Sequence, residues 1–483
     1  MQATRKDALR LFHEGSLALA QVENNGIKVD REYLEKATKW VSQREKKIVE
    51  ELKKDELWGK WQNEYKEQAN LTSRPQLAEL LFNRLRYPAS AFTKGGKPSA
   101  DEGHLKTVPL PFISKYLQLA KLEKVRGTYL KGIERETDDN GYLHPSFNLV
   151  SGDDERGGAR SYRGSAQLPN FQNMPLRNKL QGKIIRRAFI PSAGNYLLEV
   201  DFNILEVRVN ASINLDPTLM SYVSDPTTDM HRDMSEELYI LDFKDWEKDQ
   251  YKDIRYYGKN RFVFPSFYGS SYFQCAPALW KAIDTAKLVT KDGKSLKEHL
   301  YEKGIKELGK CDPQGSPQPG TFEYHVYKVE KDFWGRRFPV YDAWRTKQWK
   351  LYQSQGYFDL PTGFRIQGIY QKNAVTNYPA QGSAFHILLW CLTELQKWLN
   401  KKEMKSKIVA QIHDSMLIDV VPEEFQAVCD ACERIMTRKV RQFWGWIAAP
   451  LVIEMEASSQ NWHDKKPIIN RGGVWSTKKG EPI

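Results

Sequence analysis

An apolar run that ends in an acid, Tyr196-Leu-Leu-Glu-Val-Asp201, is followed far downstream by a second apolar segment interrupted by an acid, Ile408-Val-Ala-Gln-Ile-His413-Asp414-Ser-Met-Leu-Ile418. The first reads as a buried strand with Asp201 at its end, the second as a hairpin with Asp414 at its tip. Isolated carboxylates inside a core neutralise or cost several kcal/mol. Acids at strand ends avoid that cost and remain able to meet a cation. Strand material on both sides of a helical, charged middle also restricts the fold. Residues 135–215 and 351–462 must form one sheet-bearing unit that another unit interrupts.

At 483 residues the chain is too long for one core and suits two or three subdomains. Residues 1–134 read as helices, with a turn at Asn24-Asn-Gly26 and Ser73 capping a helix that carries Pro75 in its first turn. Residues 184–201 read as two strands about a glycine turn, 216–350 as helical, and 463–483 as a C-terminal tail. The net charge of +12 and pI near 9.1 favour a polyanionic partner. An aromatic share of 12% is enough for stacking surfaces as well as core. The five cysteines give no disulfide framework. Cys429 and Cys432 form a C-x-x-C inside one amphipathic helix with no second Cys or His pair nearby, which reads as packing. No apolar run approaches ~18 residues and the start has no signal-peptide core, so a cytoplasmic protein with no membrane partner is expected.

Between the two acids lies Arg255-Tyr-Tyr-Gly-Lys259-Asn-Arg-Phe262-Val-Phe264-Pro-Ser-Phe267-Tyr268-Gly269. Arg255 and Lys259 are four apart and share a helix face, along which a polyphosphate would meet both. Aromatics directly after them are more than a solvated basic stripe needs. Acid, basic helix, acid, in that order, resembles motifs A, B and C of the family-A DNA polymerases, the bacterial DNA polymerase I type. The variant of motif B and the compact polymerase region look phage-like, which would put the protein in a host cytoplasm. The resemblance runs from about residue 15 to 462, including Asn70-Leu-Thr-Ser73-x-x-Gln76-Leu77.

The resemblance implies an α+β, right-hand polymerase with an antiparallel-sheet palm, helical fingers and a helical thumb. Thumb and N-terminal helices would span 1–134, the palm 135–215 and 351–462, and the fingers 216–350 with an insertion near 275–325. It implies DNA-templated addition of dNTPs to a primer 3′-OH with two Mg²⁺ ions, replaceable by Mn²⁺, held by the catalytic Asp201 and Asp414 and the Phe202 carbonyl. Arg255, Lys259 and His231 would bind the triphosphate, Phe264 would pack on the incoming base, and Glu206 with Tyr268 would exclude a 2′-hydroxyl. Arg163, Asn170, Gln172, Asn173, Asn377, Gln381 and His413 would hold primer-template DNA, where minor-groove acceptors recur in all four pairs.

Four departures stand out. The Lys259–Tyr268 spacing is one residue longer than the family's usual pattern, which predicts a π-bulge between Lys259 and Phe264 and leaves Phe264 or Val263 as the base-packing residue; Phe264 is preferred because an aliphatic cannot stack. Ser415 stands where motif C commonly has a third acid, and Asn373 where an Arg is common. The thumb-like region begins almost at Met1, so no 3′–5′ exonuclease domain is expected, and a separate exonuclease or processivity protein is a candidate partner of an otherwise monomeric chain. The rival readings are a single-subunit RNA polymerase, opposed by Glu206, a non-catalytic DNA-binding subunit, and a metal-dependent nuclease, which would leave the basic helix unexplained.

Overall fold

The computed structural model describes residues 3–89, 91–93, 95–150, 159–175, 179–480 and 483. Three apolar cores organise them. Helix α1 (Arg5–Asn25) comes first, with Thr4 and Asp7 forming a capping box. The next core is helical. Helix α2 (Arg31–Lys53), capped by Asp30, buries Leu34, Val41, Ile48 and Leu52, a heptad-like stripe that faces helix α3 (Pro111–Lys124). Trp61, fully buried, donates its indole N–H to Gln76. Ser73 caps the helix Arg74–Ala78 with Pro75 in its first turn, as the sequence suggests.

A second core holds the helical middle. Helix α4 (Leu205–Asn214) joins two cores: Val207 and Ala211 pack with the helical middle, the expected fingers, and Leu205 and Val209 with the core under the sheet. Helices α5 (Met230–Tyr239), α6 (Lys248–Gly258), α7 (Tyr272–Thr285) and α8 (Phe322–Asp332) complete this unit around Phe262, Phe322 and Phe333. Residues Lys259–Val263 are wound as a π-helical turn, in which the Phe264 amide donates to the Lys259 carbonyl. The extra residue is thus absorbed where the spacing predicts.

The sheet expected as the palm is six-stranded and antiparallel, made of β1 (Tyr196–Phe202), β2 (Lys407–Ile412), β3 (Ser415–Val420), β4 (Ile453–Ser458), β5 (Lys466–Arg471) and β6 (Val474–Thr477). Its order is β6-β5-β4-β1-β3-β2. Three readings need correction. Residues 466–477 are not a tail but extend the sheet. Helix Lys179–Arg186 and a single bridge from Phe189 to Val29 replace the first of the two strands expected over 184–201. Helix α1 joins the palm core, not the thumb, because Gly15 leaves room for Leu389 against it.

Helix α9 (Lys372–Lys401) lies in the same core, buried along most of its length despite an internal Pro379. Alternation along β1 sends Leu198, Val200 and Phe202 into the palm core and Leu197 to the thumb side. Asp201 shares the face of Leu197 and Glu199. Among the described residues, no helix is long and apolar enough to cross a membrane.

Candidate active site

Strands β1 and β3 pair with Asp201 opposite Ser415, and the Phe202 amide donates to the Asp414 carbonyl at 3.3 Å. Asp414 therefore stands beside the end of β1. It belongs to a two-residue hairpin loop between Ile412 and Ser415 whose first residue, His413, has φ +52°, the left-handed geometry such tight loops use. Asp201 opens to solvent at the sheet end yet is walled by protein. Its pKa is pushed up to about 7, first by lost solvation and then by the negative charges of Asp414, Glu199 and Glu454. Lost solvation also pushes Asp414 up to about 6, against the pull of Arg163. Two acids raised in this way hold their charge at a cost that a divalent cation would remove.

A cleft of about 370 Å³ opens beside Asp414, and Asp201 lies outside its lining. It is lined by Asp414 and His413 from the hairpin, Arg163, Glu206 from α4, Phe264 and Tyr268 after the π-turn, and Asn377 and Gln381 from α9. These sequence-selected residues come from five separate segments. Tyr268 donates its hydroxyl to Glu206, which Arg163 also contacts at 3.3 Å. Val263 is fully buried in the fingers core, so Phe264 presents the aromatic face to the cleft. Gly269, at φ +91°, ends this turn, and a side chain there would strike Asn373, whose amide donates to the Gly269 carbonyl at 3.3 Å.

The cationic residues flank the cleft. Lys259 lies 5.0 Å over the Phe264 ring. Arg255 pairs with Asp229 at 2.6 Å, and Asp229 also caps α5 by accepting from the His231 and Arg232 amides. His231 is buried 5.5 Å from Phe264, with Nδ1 unpartnered. Its pKa is driven down to about 3, mainly by burial and then by Lys259 and Arg255, so the imidazole is neutral at pH 7.

Asn170, Gln172 and Asn173 are not brought into the cleft. Asn170 caps the short turn Phe171–Asn173. Gln172 reaches the hairpin indirectly, donating to Gln411 (2.9 Å), which in turn donates to the His413 carbonyl (2.7 Å).

Three neighbours of the acids escaped sequence reasoning. Glu454 on β4 pairs with Asp201 across the sheet and accepts from Asn203. Glu199 accepts from Ser415 (3.1 Å) and Trp462 (2.9 Å) and is ion-paired with Lys465. Burial pushes the Glu199 pKa up, but Lys465 outweighs it and the carboxyl stays below its usual range. Asn210 lines the cleft with a buried, unpartnered Oδ1. The alternation Ile453-Glu454-Met455-Glu456 carried a signal for the first. The others have none that a single sequence makes visible. Arg208, in contrast, is structural, donating to the carbonyls of Asn203, Val223 and Pro450.

Among the described residues no group of three or more His, Cys, Asp or Glu side chains is arranged to hold a metal. Asp201 and Asp414, on adjacent strand ends, would offer a two-carboxylate donor set. That suits an ion such as Mg²⁺, which keeps several waters and takes further oxygens from substrate phosphates.

The family model described as DNA polymerase family A matches residues 35–292 and 362–464. The unmatched stretch, 293–361, overlaps only part of the segment read as an insertion. The DNA polymerase I of Lactococcus lactis subsp. cremoris is 27% identical over 451 residues, covering 93% of this chain and 45% of the relative. That of Bacillus subtilis is 24% identical over 469 residues, covering 95% and 46%. The chain thus spans about half the length of the curated relatives it matches. Among solved structures, the POL domain of Pol1 from M. smegmatis in complex with DNA primer-template and dNTP aligns with a TM-score of 0.70 at 20% identity, covering 93% of this chain and 70% of that one. The likeness is one of fold.

Proposed function

This chain belongs to DNA polymerase family A, and from that premise we propose that its cleft extends a primer 3′ end with deoxynucleotides on a DNA template. The observation that carries the reading is the cleft itself. It joins Asp414, the Glu206–Tyr268 contact and the Phe264 face, with Arg255, Lys259 and His231 packed at its edge.

Each group has a task that its surroundings favour. Arg255 and Lys259 neutralise the triphosphate, whose oxygens displace Asp229 as the partner of Arg255. Neutral His231 offers an imidazole nitrogen to the same phosphates without adding charge. Phe264 stacks on the base, and the Glu206–Tyr268 pair fills the space a 2′-hydroxyl would need. Arg163, Asn377, Gln381 and His413 line the side on which the primer terminus and its pair would lie; Asn170, Gln172 and Asn173 would act from beside the hairpin. Asp201 and Asp414, with the Phe202 carbonyl, would hold two Mg²⁺ ions or their Mn²⁺ replacements. Such ions supply activation of the attacking oxygen and stabilisation of the leaving pyrophosphate.

Each of the three cores is used by thumb, palm or fingers. These three units are accordingly proposed to carry extension and not trimming. Incubation with Mg²⁺ and a mismatched primer, without dNTPs, tests this; a shortened primer contradicts it.

Primer extension with each dNTP, and with the matching rNTPs, tests the main reading. The expected result is templated dNTP addition that disfavours rNTPs, lost in Asp414→Asn while primer-template binding persists. Extension by Asp414→Asn at the wild-type rate would overturn the assignment.

A further inference from the structure

The stretch that the family model leaves unmatched contains most of a surface the cleft does not use. On α8, Tyr324, Tyr327, Lys328 and Lys331 follow one another at helical spacing and form a single stripe. The opposite face, Phe322, Val326 and Val329, is buried in the fingers core. Lys328 lies 5.2 Å over the Tyr324 ring and Lys331 4.7 Å over the Tyr327 ring. Both tyrosines are half-buried and both lysines exposed.

The acids of this helix are occupied elsewhere. Glu330 accepts the Tyr272 amide at 3.0 Å, Glu323 accepts the Cys311 amide at 2.9 Å, and Asp332 is near Arg336 at 3.5 Å. The stripe therefore presents aromatic rings and positive charge together.

Its position matters. Tyr327 packs on Tyr272 at 5.0 Å, and Tyr272 opens α7 only four residues after Tyr268. Four residues span at most about 14 Å, so the stripe begins within that reach, plus one ring contact, of the cleft.

We propose that this stripe binds the single-stranded template DNA that has yet to enter the cleft, with bases on Tyr324 and Tyr327 and phosphates on Lys328 and Lys331. The proposal rests on the polymerase reading given above. Aromatic rings take any base because every base has a π face, and lysines beside them follow the backbone, which is the combination that sequence-independent single-strand binding requires. A merely solvated helix face needs charge but no paired rings.

The test is equilibrium binding, without dNTPs, of two labelled primer-templates that differ only in the 5′ template overhang, about two or about twelve nucleotides long. The wild type is expected to prefer the long overhang by about tenfold or more. Tyr324→Ala/Tyr327→Ala should reduce that ratio towards one. Lys328→Gln/Lys331→Gln, two exposed changes that spare the core, should reduce it and lower the salt dependence of long-overhang binding by about one to two in log-log slope. An equal ratio in the wild type and the lysine variant, with equal slopes, would overturn the proposal, as would a wild type indifferent to overhang length. Failure of the wild type to bind either duplex would instead remove the polymerase reading, and this proposal with it.

Discussion

Asp201 and Asp414 hold protons more tightly than ordinary carboxylates, at about pH 7 and about pH 6. Their unfolded values lie near the usual 3.8, so the folded chain binds more protons between about pH 4 and pH 7. In the absence of divalent ions, this contribution to stability is fully present below pH 4 and is lost as pH rises through 6 to 7. Asp201→Asn and Asp414→Asn should each raise the melting temperature at pH 8, by about 2 °C or more, and change it little at pH 3.5. Thermal melts in a chelator at the two pH values check this; equal shifts at both contradict it. Activity has the opposite sign, because only ionised carboxylates hold a cation, and extension should fall as pH drops below about 7. At the rim of the cleft, Glu206→Ala removes the partner of both Tyr268 and Arg163. It should raise the ratio of rNTP to dNTP incorporation by about tenfold or more, measured as relative kcat/KM. Both acids were legible because they end or interrupt apolar runs; Glu454 showed only as part of an alternation, and Glu199 was not legible, because its partner Lys465 becomes a neighbour only when the sheet forms.

At the level of elements, the π-turn over Lys259–Val263 sets the phase between the phosphate-binding cations and the aromatic face. One residue in a helix is a rotation of about 100°. Deleting exposed Arg261 would restore a regular helix with the family's usual spacing and keep Arg255 and Lys259 in line with Phe264 and Tyr268. The apparent KM for dNTPs should stay within about threefold of the wild type, with the melting temperature little changed; a rise of about tenfold or more would show that the turn does not compensate for the extra residue. The bulge was readable because spacing is a one-dimensional quantity. The strands over 466–477 were not, since Lys466, Pro467, Arg471 and the Gly472-Gly473 turn look like an exposed tail until β4 supplies the edge they pair with. Helix Lys179–Arg186 was misread for a related reason: a short apolar run has no decisive period.

Across the molecule, the palm sheet is made from segments that flank the fingers, so the two acids meet only when both parts are folded together. Helix α1 belongs to that same core through Leu11, Leu19 and Val22. The charge of +12 makes association with DNA a counterion-release process. The affinity for primer-template should fall steeply with salt and differ little between sequences of equal length, as an anisotropy titration over a salt series would reveal. The most direct test of the central claim counts ions. Mn²⁺ bound to the wild-type chain with a non-extendable primer-template and the correct dNTP, read by electron paramagnetic resonance, should be about two per chain. Asp201→Asn and Asp414→Asn should each lose that binding while retaining DNA. Unchanged Mn²⁺ occupancy in both variants would contradict the account.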